Sequence, residues 1–210
     1  MTPERLAAVL GEPPVPRGTW RREATYVSAA ALRGGGDVLA RAEELAGRLR
    51  DLPGVGVSVG DDGMLTITDA VPGEIAGTDP PPVPFADPWP DLPRTWENPG
   101  FVVRYGHARA AAVRRWARDL GVPLDGFAPE ALDHPLDRAV LRVLAELPGR
   151  RVSRDPGWAA YLTRLAVVYH DAHEGAPAVP VGDTPAGTVH AARVALAGAV
   201  RKVLPGPDRL

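Results

Sequence analysis

The hydrophobic positions of the second half of the chain repeat with a helical period, from about residue 99 to residue 210. This pattern predicts four helices, at about 99–120, 134–147, 156–174 and 185–203. Local signals support the ends: Pro99 precedes the first helix and Gly121 stops it, while Asp133 opens the second helix and Pro148-Gly149 end it. Four helices with short connections favour an antiparallel helical bundle.

A different pattern precedes the helical region. Residues 37–50 have a helical period, residues 55–59 alternate valine with small residues, and residues 65–68 alternate leucine or isoleucine with threonine. An Asp-Asp-Gly turn at 61–63 joins the two alternating stretches, so the sequence predicts a helix followed by a β-hairpin.

Residues 71–96 contain eight prolines and almost no periodicity, which predicts an extended linker. Trp89 and Trp96 inside it suggest that part of the linker packs on a neighbouring element. We therefore predict an α+β fold with a small α/β unit at 1–70, a linker at 71–96 and a helical domain at 97–210.

One arginine does not fit the first predicted helix. At about 100° per residue, Phe101, Tyr105, Ala112 and Trp116 share an apolar stripe, and Arg109 projects into that stripe. An unpaired charge would be costly to bury there, so Arg109 needs either a buried partner or a function.

Composition narrows the classes of function. The chain has 210 residues, 45% of them hydrophobic, which is enough for a globular core. Its net charge of −2 argues against a promiscuous nucleic-acid binder and leaves only local patches for such binding. There is no cysteine, no apolar run of about 18 residues and no signal-peptide pattern, so we expect a cytoplasmic protein without a membrane span.

Motifs of catalysis are hard to find. His170 and His173 lie three residues apart beside Asp171 and Glu174, but no third metal ligand is indicated and exposed or capping histidines are more common. No phosphate-binding loop, dinucleotide fingerprint or nucleophile elbow occurs with the right flanks. We predict no metal site, no cofactor and no catalytic residues.

The first helix of the bundle carries the stronger signal. Between Phe101 and Asp119 there are five arginines and one acid, and aromatic residues alternate with that charge at helical spacing. Arginines beside tyrosine and tryptophan are typical of proteins that bind single-stranded RNA loops. The alternative is an amphipathic core helix with a solvated arginine face, which composition alone favours.

Four segments, in order, resemble one family. NPGFVVRYGHAR (98–109) closely resembles the start of the helical anticodon-binding domain of arginyl-tRNA synthetases, where a Tyr-Ala-His-Ala-Arg-like motif opens the first helix. HPLDRAVLRVLAELP (134–148), YLTRLAVVYHDAHEGAPAVP (161–180) and AARVALAGAVRKVL (191–204) resemble the later helices of that domain. The N-terminal part, with GMLTI at 63–67, is similar to the small additional domain that touches the tRNA elbow in the family.

The chain lacks the catalytic motifs of this family. The chain contains no His-x-Gly-His motif, and its only lysine, Lys202, excludes the lysine-rich second signature of the synthetases. We therefore expect a non-catalytic paralogue of arginyl-tRNA synthetase that binds tRNA, or an anticodon stem-loop, and does not aminoacylate by itself. The alternatives are a regulatory module that binds protein and has lost RNA binding, and an accessory chain that acts with a separate synthetase; neither DNA nor a membrane is an expected partner.

The resemblance also implies contact residues. Tyr105 and Arg109 match the tyrosine and arginine of the opening motif, Tyr169 matches an aromatic of the third helix, and His173 replaces its aromatic partner. Leu210 stands where the family ends in a methionine. The arginines expected to contact phosphates are Arg104, Arg114 and Arg118. The linker is expected to let the N-terminal unit reach a second point on the same tRNA.

Overall fold

The computed structural model describes residues 1–85, 89–90 and 92–206. The helices of this part of the chain are α1 (Pro3–Leu10), α2 (Val38–Arg50), α3 (Pro99–Asp119), α4 (Pro135–Leu144), α5 (Leu147–Val152), α6 (Trp158–Gly175) and α7 (Thr188–Val203). Its strands are β1 (Val15–Arg17), β2 (Ala24–Ser28), β3 (Val55–Val59) and β4 (Leu65–Asp69), and short 3₁₀ turns occur at Ala30–Arg33, Pro72–Gly77 and Pro129–Ala131. The predicted α+β class is confirmed.

The N-terminal region is built around a four-stranded antiparallel sheet in the order β1-β2-β4-β3. The predicted hairpin is present as β3 and β4, with Val57 opposite Ile67, and the predicted helix is α2. Asp37 caps α2 by accepting hydrogen bonds from the amides of Leu39 and Ala40. Helix α1 and strands β1 and β2 are not predicted from the sequence. Strand β1 carries little signal because it has three residues, contains Pro16 and lies at the edge of the sheet.

Up to residue 206, where the described part of the chain ends, the C-terminal region contains one more α-helix than predicted. The stretch expected as a single helix at 134–147 forms α4 and then α5, which begins at Leu147 and has Pro148 in its first turn. Pro148 starts a helix instead of ending one, because the first turn needs no amide donor from that position. The cap of α4 is His134 and not Asp133, since His134 Nδ1 accepts a hydrogen bond from the Leu136 amide.

Helix α3 agrees closely with its prediction at both ends. The Asn98 side chain accepts a hydrogen bond from the Gly100 amide, and Pro99 occupies the first helical position. At the other end Gly121 has a φ of 68°, and the amide of Val122 bonds to the carbonyl of Ala117, which closes the helix as a glycine-terminated cap.

The core stripe of α3 differs from the predicted one. The buried residues of α3 are Gly100, Val102, Val103, Gly106, Ala110, Ala112, Val113 and Ala117. Small residues dominate this set because α3 lies very close to its neighbours: a Cβ on Gly106 would stand 3.1 Å from Leu204 and 3.2 Å from Ala166. The large rings of the predicted stripe, Phe101, Tyr105 and Trp116, therefore lie at the edge of the core.

The proline-rich segment packs on the bundle. Its first part is the 3₁₀ turn Pro72–Gly77, with Ile75 and Ala76 buried against α4 and α7. Gly73 is required there, since a Cβ at this position would overlap the Pro129 carbonyl oxygen. The N-terminal unit also contacts α4 directly, because Arg138 and Arg142 donate hydrogen bonds of 2.7 Å to the carbonyls of Arg22 and Gly18.

A buried ion pair joins α4 to α7. Asp137 is 1% exposed, and Arg193 Nε lies 3.0 and 3.2 Å from its two carboxylate oxygens. Arg193 also donates to the Pro177 carbonyl at 3.2 Å, which ties the connection between α6 and α7 to the same pair. Burial raises the pKa of Asp137, while the charge and hydrogen bond of Arg193 act in the opposite direction.

We predict that Arg193→Leu lowers the free energy of unfolding at pH 7 by about 3 to 5 kcal/mol, because it leaves a buried carboxylate without its partner. Without Arg193 the Asp137 pKa rises further above its unfolded value, so the deficit shrinks as pH falls and the carboxyl becomes neutral. Urea denaturation at pH 7 and pH 5 measures both effects.

The matched control is Arg50→Leu, which removes an exposed pair in which Arg50 and Glu43 are 3.4 Å apart. It should cost less than about 1 kcal/mol. Equal losses in the two variants, or an Arg193→Leu deficit that does not change with pH, would contradict the importance of the buried pair.

Candidate nucleic-acid interface

Arg109 lies at the surface between α3 and α6, within a group of rings that we call the aromatic cluster: Trp96, Phe101, Tyr105 and His170. The Arg109 Cζ atom stands 4.6 Å from the centroid of the Tyr105 ring, a cation–π contact. Arg109 Nη1 is 3.0 Å from His170 Nδ1 and also pairs with the Glu174 carboxylate. The side chain is 21% exposed, so this arginine is mostly covered, and its Nη1 atom contacts both His170 and Glu174.

The carboxylate that pairs with Arg109 lies outside the bundle. Glu174 is 56% exposed, and the hydrogen bond from Arg109 lowers its pKa below the ordinary value. An ion pair with so exposed a partner contributes little to stability and exchanges readily with a competing anion. Arg109 is therefore available to a ligand at the cost of one surface contact, and is not a scaffold residue sealed within the core.

Trp96 completes the cluster from the segment that precedes α3. Its ring centroid lies 4.6 Å from His170, 5.6 Å from Tyr105 and 6.0 Å from Phe101, and half of the residue is exposed. Asn98 holds this segment in position, because its side-chain amide donates to the carbonyls of Pro90 and Pro93. The prediction that Trp96 packs on a neighbouring element agrees with these contacts.

The same two helices carry a second group of rings: Trp116 on α3, and Tyr169 and His173 on α6. The ring of His173 is 6.1 Å from Trp116 and 6.2 Å from Tyr169. Trp116 is 42% exposed, whereas Tyr169 is only 4% exposed and has no ring face open to solvent. From the sequence, Tyr169 is expected to stack on a base. In the structure it is buried and packs against the ring of His173 instead.

Tyr169 and His173 border a small cavity whose other walls include Asp137 and Arg193. The Tyr169 hydroxyl and the His173 Nδ1 atom are buried there without a hydrogen-bond partner in the described part of the chain. Burial raises the pKa of Tyr169, so this hydroxyl remains a donor at neutral pH.

The predicted phosphate-binding arginines do not lie with Arg109. The guanidinium of Arg104 donates to the carbonyls of Trp89 and Pro90, at 3.0 and 3.2 Å. Arg114 and Arg118 are exposed, and at about 100° per residue they lie roughly 140° and 180° around α3 from Arg109. Leu210, the remaining predicted contact residue, lies outside the described residues.

Sequence analysis missed the role of three side chains at this surface. The sequence pattern indicates His170 and Glu174 only as part of a possible metal site, and Trp96 only as a residue that packs on a neighbouring element. The signal was their spacing: His170 and Glu174 are one turn apart on α6, which allows both to contact one side chain on α3. Among the described residues, no three His, Cys, Asp or Glu side chains are grouped as a metal site requires, and no described helix is long and apolar enough to cross a membrane.

Comparison with known proteins gives a partial match. The arginine–tRNA ligase of Clavibacter sepedonicus is 42% identical to this chain over 117 residues, which are 53% of the chain and 21% of the ligase. About half of this chain is similar to part of an arginine–tRNA ligase. The ligase of Frankia alni (strain DSM 45986 / CECT 9034 / ACN14a) is 37% identical over 118 residues, with the same two coverages. No family model and no solved structure matches the chain.

The similarity to arginine–tRNA ligases confirms the resemblance on which the sequence analysis relied. The matched region spans only about a fifth of each ligase, so the activity of the whole ligase does not transfer with it. The geometry gives two of the segments that carry the resemblance a structural role, because Arg193 of AARVAL donates a hydrogen bond to Asp137 of HPLD. Asp137 and Arg193 thus join two helices inside the bundle, whereas Tyr105 and Arg109 lie at its surface.

We predict that His173 is neutral in the folded protein near pH 7. Burial, and then the positive charge of Arg109, lower its pKa below the ordinary 6.5, and Glu174 acts in the opposite direction. A folded pKa below the unfolded one means that protonation favours unfolding, so His173 costs stability as pH falls through 6.5 and below. An NMR titration of the imidazole carbon-bound protons measures the pKa.

The Arg109→Leu variant provides the control, because it should move the His173 pKa back toward the ordinary value. A wild-type His173 that titrates at or above 6.5 would contradict the buried environment described for this ring.

Proposed function

We propose that this protein is a non-catalytic relative of arginyl-tRNA synthetase that binds tRNA through the aromatic cluster and Arg109, in the cytoplasm. The observation that carries the proposal is the position of Arg109, 4.6 Å above the Tyr105 ring and next to the half-exposed Trp96. Similarity to arginine–tRNA ligases over half of the chain supports tRNA as the ligand.

The chemistry of the cluster suits an unpaired RNA loop. Bases that are not paired in a helix stack on aromatic rings, and each such contact contributes about 1–3 kcal/mol of binding free energy. The exposed face of Trp96 is the main platform for such a base, with His170 and Tyr105 behind it. Trp116 and His173 offer a second platform further along the two helices.

Arg109 would then exchange partners. Its guanidinium leaves the exposed carboxylate of Glu174 and contacts an RNA phosphate or base edge, while Tyr105 and His170 keep it aligned. Alignment matters because a long side chain that is already ordered loses less conformational entropy on binding. The absence of a His-x-Gly-His motif and a lysine-rich signature from the 210 residues supports the non-catalytic part of the proposal.

We predict that Arg109→Ala weakens the binding of total tRNA about tenfold or more at 100 mM salt. The variant loses both the charge-assisted contact of the guanidinium with the RNA and its stacking on Tyr105. Trp96→Ala should weaken binding to a similar degree. Fluorescence anisotropy with labelled tRNA measures both affinities, and repetition from 50 to 200 mM salt shows the phosphate contribution.

Arg115→Ala is the matched control, because Arg115 is exposed on the same helix and lies about 240° around it from Arg109. It should change the affinity less than threefold. No binding of tRNA at micromolar protein, or binding that Arg109→Ala leaves intact, would refute the proposal. Tighter binding by Trp96→Ala would show that Trp96 covers the stacking position instead of forming it.

A protein-binding module is the competing function. The net charge of −2 and the Glu174 partner of Arg109 favour it, since a surface arginine with a carboxylate partner needs no RNA. Purification of the protein with a stable stoichiometric protein partner and without RNA would support this alternative.

A further inference from the structure

A groove lies on the side of α3 that faces away from the aromatic cluster. It has a volume of about 370 Å³ and is bounded by α3, α7, the end of the Pro72–Gly77 turn and the loop between α3 and α4. Its floor consists of small residues, among them Ala110, Ala195 and Gly198. A Cβ added to Gly198 would meet no atom within 4 Å, so the space above this glycine is open.

The groove is lined by cations. Arg114 comes from α3, Arg201 and Lys202 come from α7, and all three are exposed. Lys202 Nζ lies 2.5 Å from a carboxylate oxygen of Asp79, which is itself 84% exposed. Within the part of the chain that the structure describes, Arg114 and Arg201 form no hydrogen bond or ion pair, so the charge of the groove is complementary to an anion.

An aromatic ring stands at the rim. Phe127 is 37% exposed, and its ring packs on Gly77 so closely that a Cβ there would come within 2.8 Å of the ring. A ring beside unpaired cations is the arrangement with which proteins bind the base and the phosphate of a nucleotide in a single strand. The volume is at the lower end of the range for small-ligand sites, which fits one nucleotide and not a double helix.

This groove is separate from the aromatic cluster. Arg114 is five residues from Arg109, which places the two side chains about 140° apart around α3. The aromatic cluster faces α6, whereas the groove faces α7. One helix therefore presents two distinct surfaces with the chemistry of RNA binding.

We propose that the α3–α7 groove binds one nucleotide of an RNA strand, with Arg114 and Arg201 on the phosphate and Phe127 on the base. This inference rests on the proposed function for its class of ligand. An RNA molecule held at both surfaces would wrap around α3, and the second contact would raise the affinity without any new domain.

The test uses the whole chain and labelled total tRNA in two groove variants. Gly198→Leu places a side chain in the open space, where its Cβ would meet no atom within 4 Å, and Arg114→Gln combined with Arg201→Gln removes the unpaired charges. Gly198→Leu should weaken binding about tenfold through loss of one stacked nucleotide. The double glutamine variant should reduce the slope of log K against log salt by about 0.7, the value for one lost phosphate contact on a single strand.

Two control variants carry the same substitutions at other places. Gly47→Leu changes an exposed glycine of α2 that also has nothing within 4 Å of its Cβ, and Arg115→Gln removes an exposed arginine that does not line the groove. Both should bind tRNA like the wild type. Thermal unfolding of all four variants verifies that each is folded.

The outcomes separate the two proposals. Unchanged affinity and salt slope in the groove variants, with Arg109→Ala still impaired, overturns the groove site and leaves the proposed function intact. A wild-type protein that does not bind tRNA overturns both. Competition by polyglutamate as effective as competition by unlabelled tRNA at equal charge overturns the RNA assignment, because the groove would then be a site for an acidic peptide.

Discussion

The helical region depends on the buried ion pair between Asp137 and Arg193. Asp137 is 1% exposed, and a buried carboxylate without a cationic partner is costly, so the contacts of Arg193 with both oxygens favour this register of α4 and α7. The bond from Arg193 to the Pro177 carbonyl extends this constraint to the end of α6. Tyr169 and His173 border the same buried site, which links the position of α6 to the pair.

The position of α6 that this ion pair favours also brings the partners of Arg109 to the surface. With α6 held against the bundle, His170 and Glu174 stand opposite Arg109 on α3, and the arginine that interrupts the apolar pattern is aligned by three neighbours. Arg109 is not buried, because the close contact of α3 with its neighbours uses small residues such as Gly106 and leaves the large rings outside. Helix α3 thus has small residues where it packs against its neighbours and large rings at the edge of the core.

Local signals account for what sequence analysis predicted correctly, and tertiary contacts account for what it missed. The ends of α3 follow from Asn98-Pro99 and Gly121, and the β3–β4 hairpin follows from alternation around a turn. Helix α5 was missed because Pro148 was interpreted as a stop, a choice that only the surrounding structure decides. Trp96 and Arg109 are 13 residues apart, and no periodicity could predict that Asn98 would bring the tryptophan to that surface.

The proline-rich segment changes how the two halves of the chain can act on one ligand. A flexible tether would let the N-terminal unit search for a second contact and would act through effective concentration. Instead, Asn98 and Arg104 hold the carbonyls of residues 89, 90 and 93, and Arg138 and Arg142 hold those of residues 18 and 22. A unit docked by such bonds offers a ligand a preorganised surface, which reduces the entropy lost on binding. On the proposed function, an RNA that touches both halves would have to match a fixed spacing, so the shape of the RNA would become a criterion of selection alongside its bases.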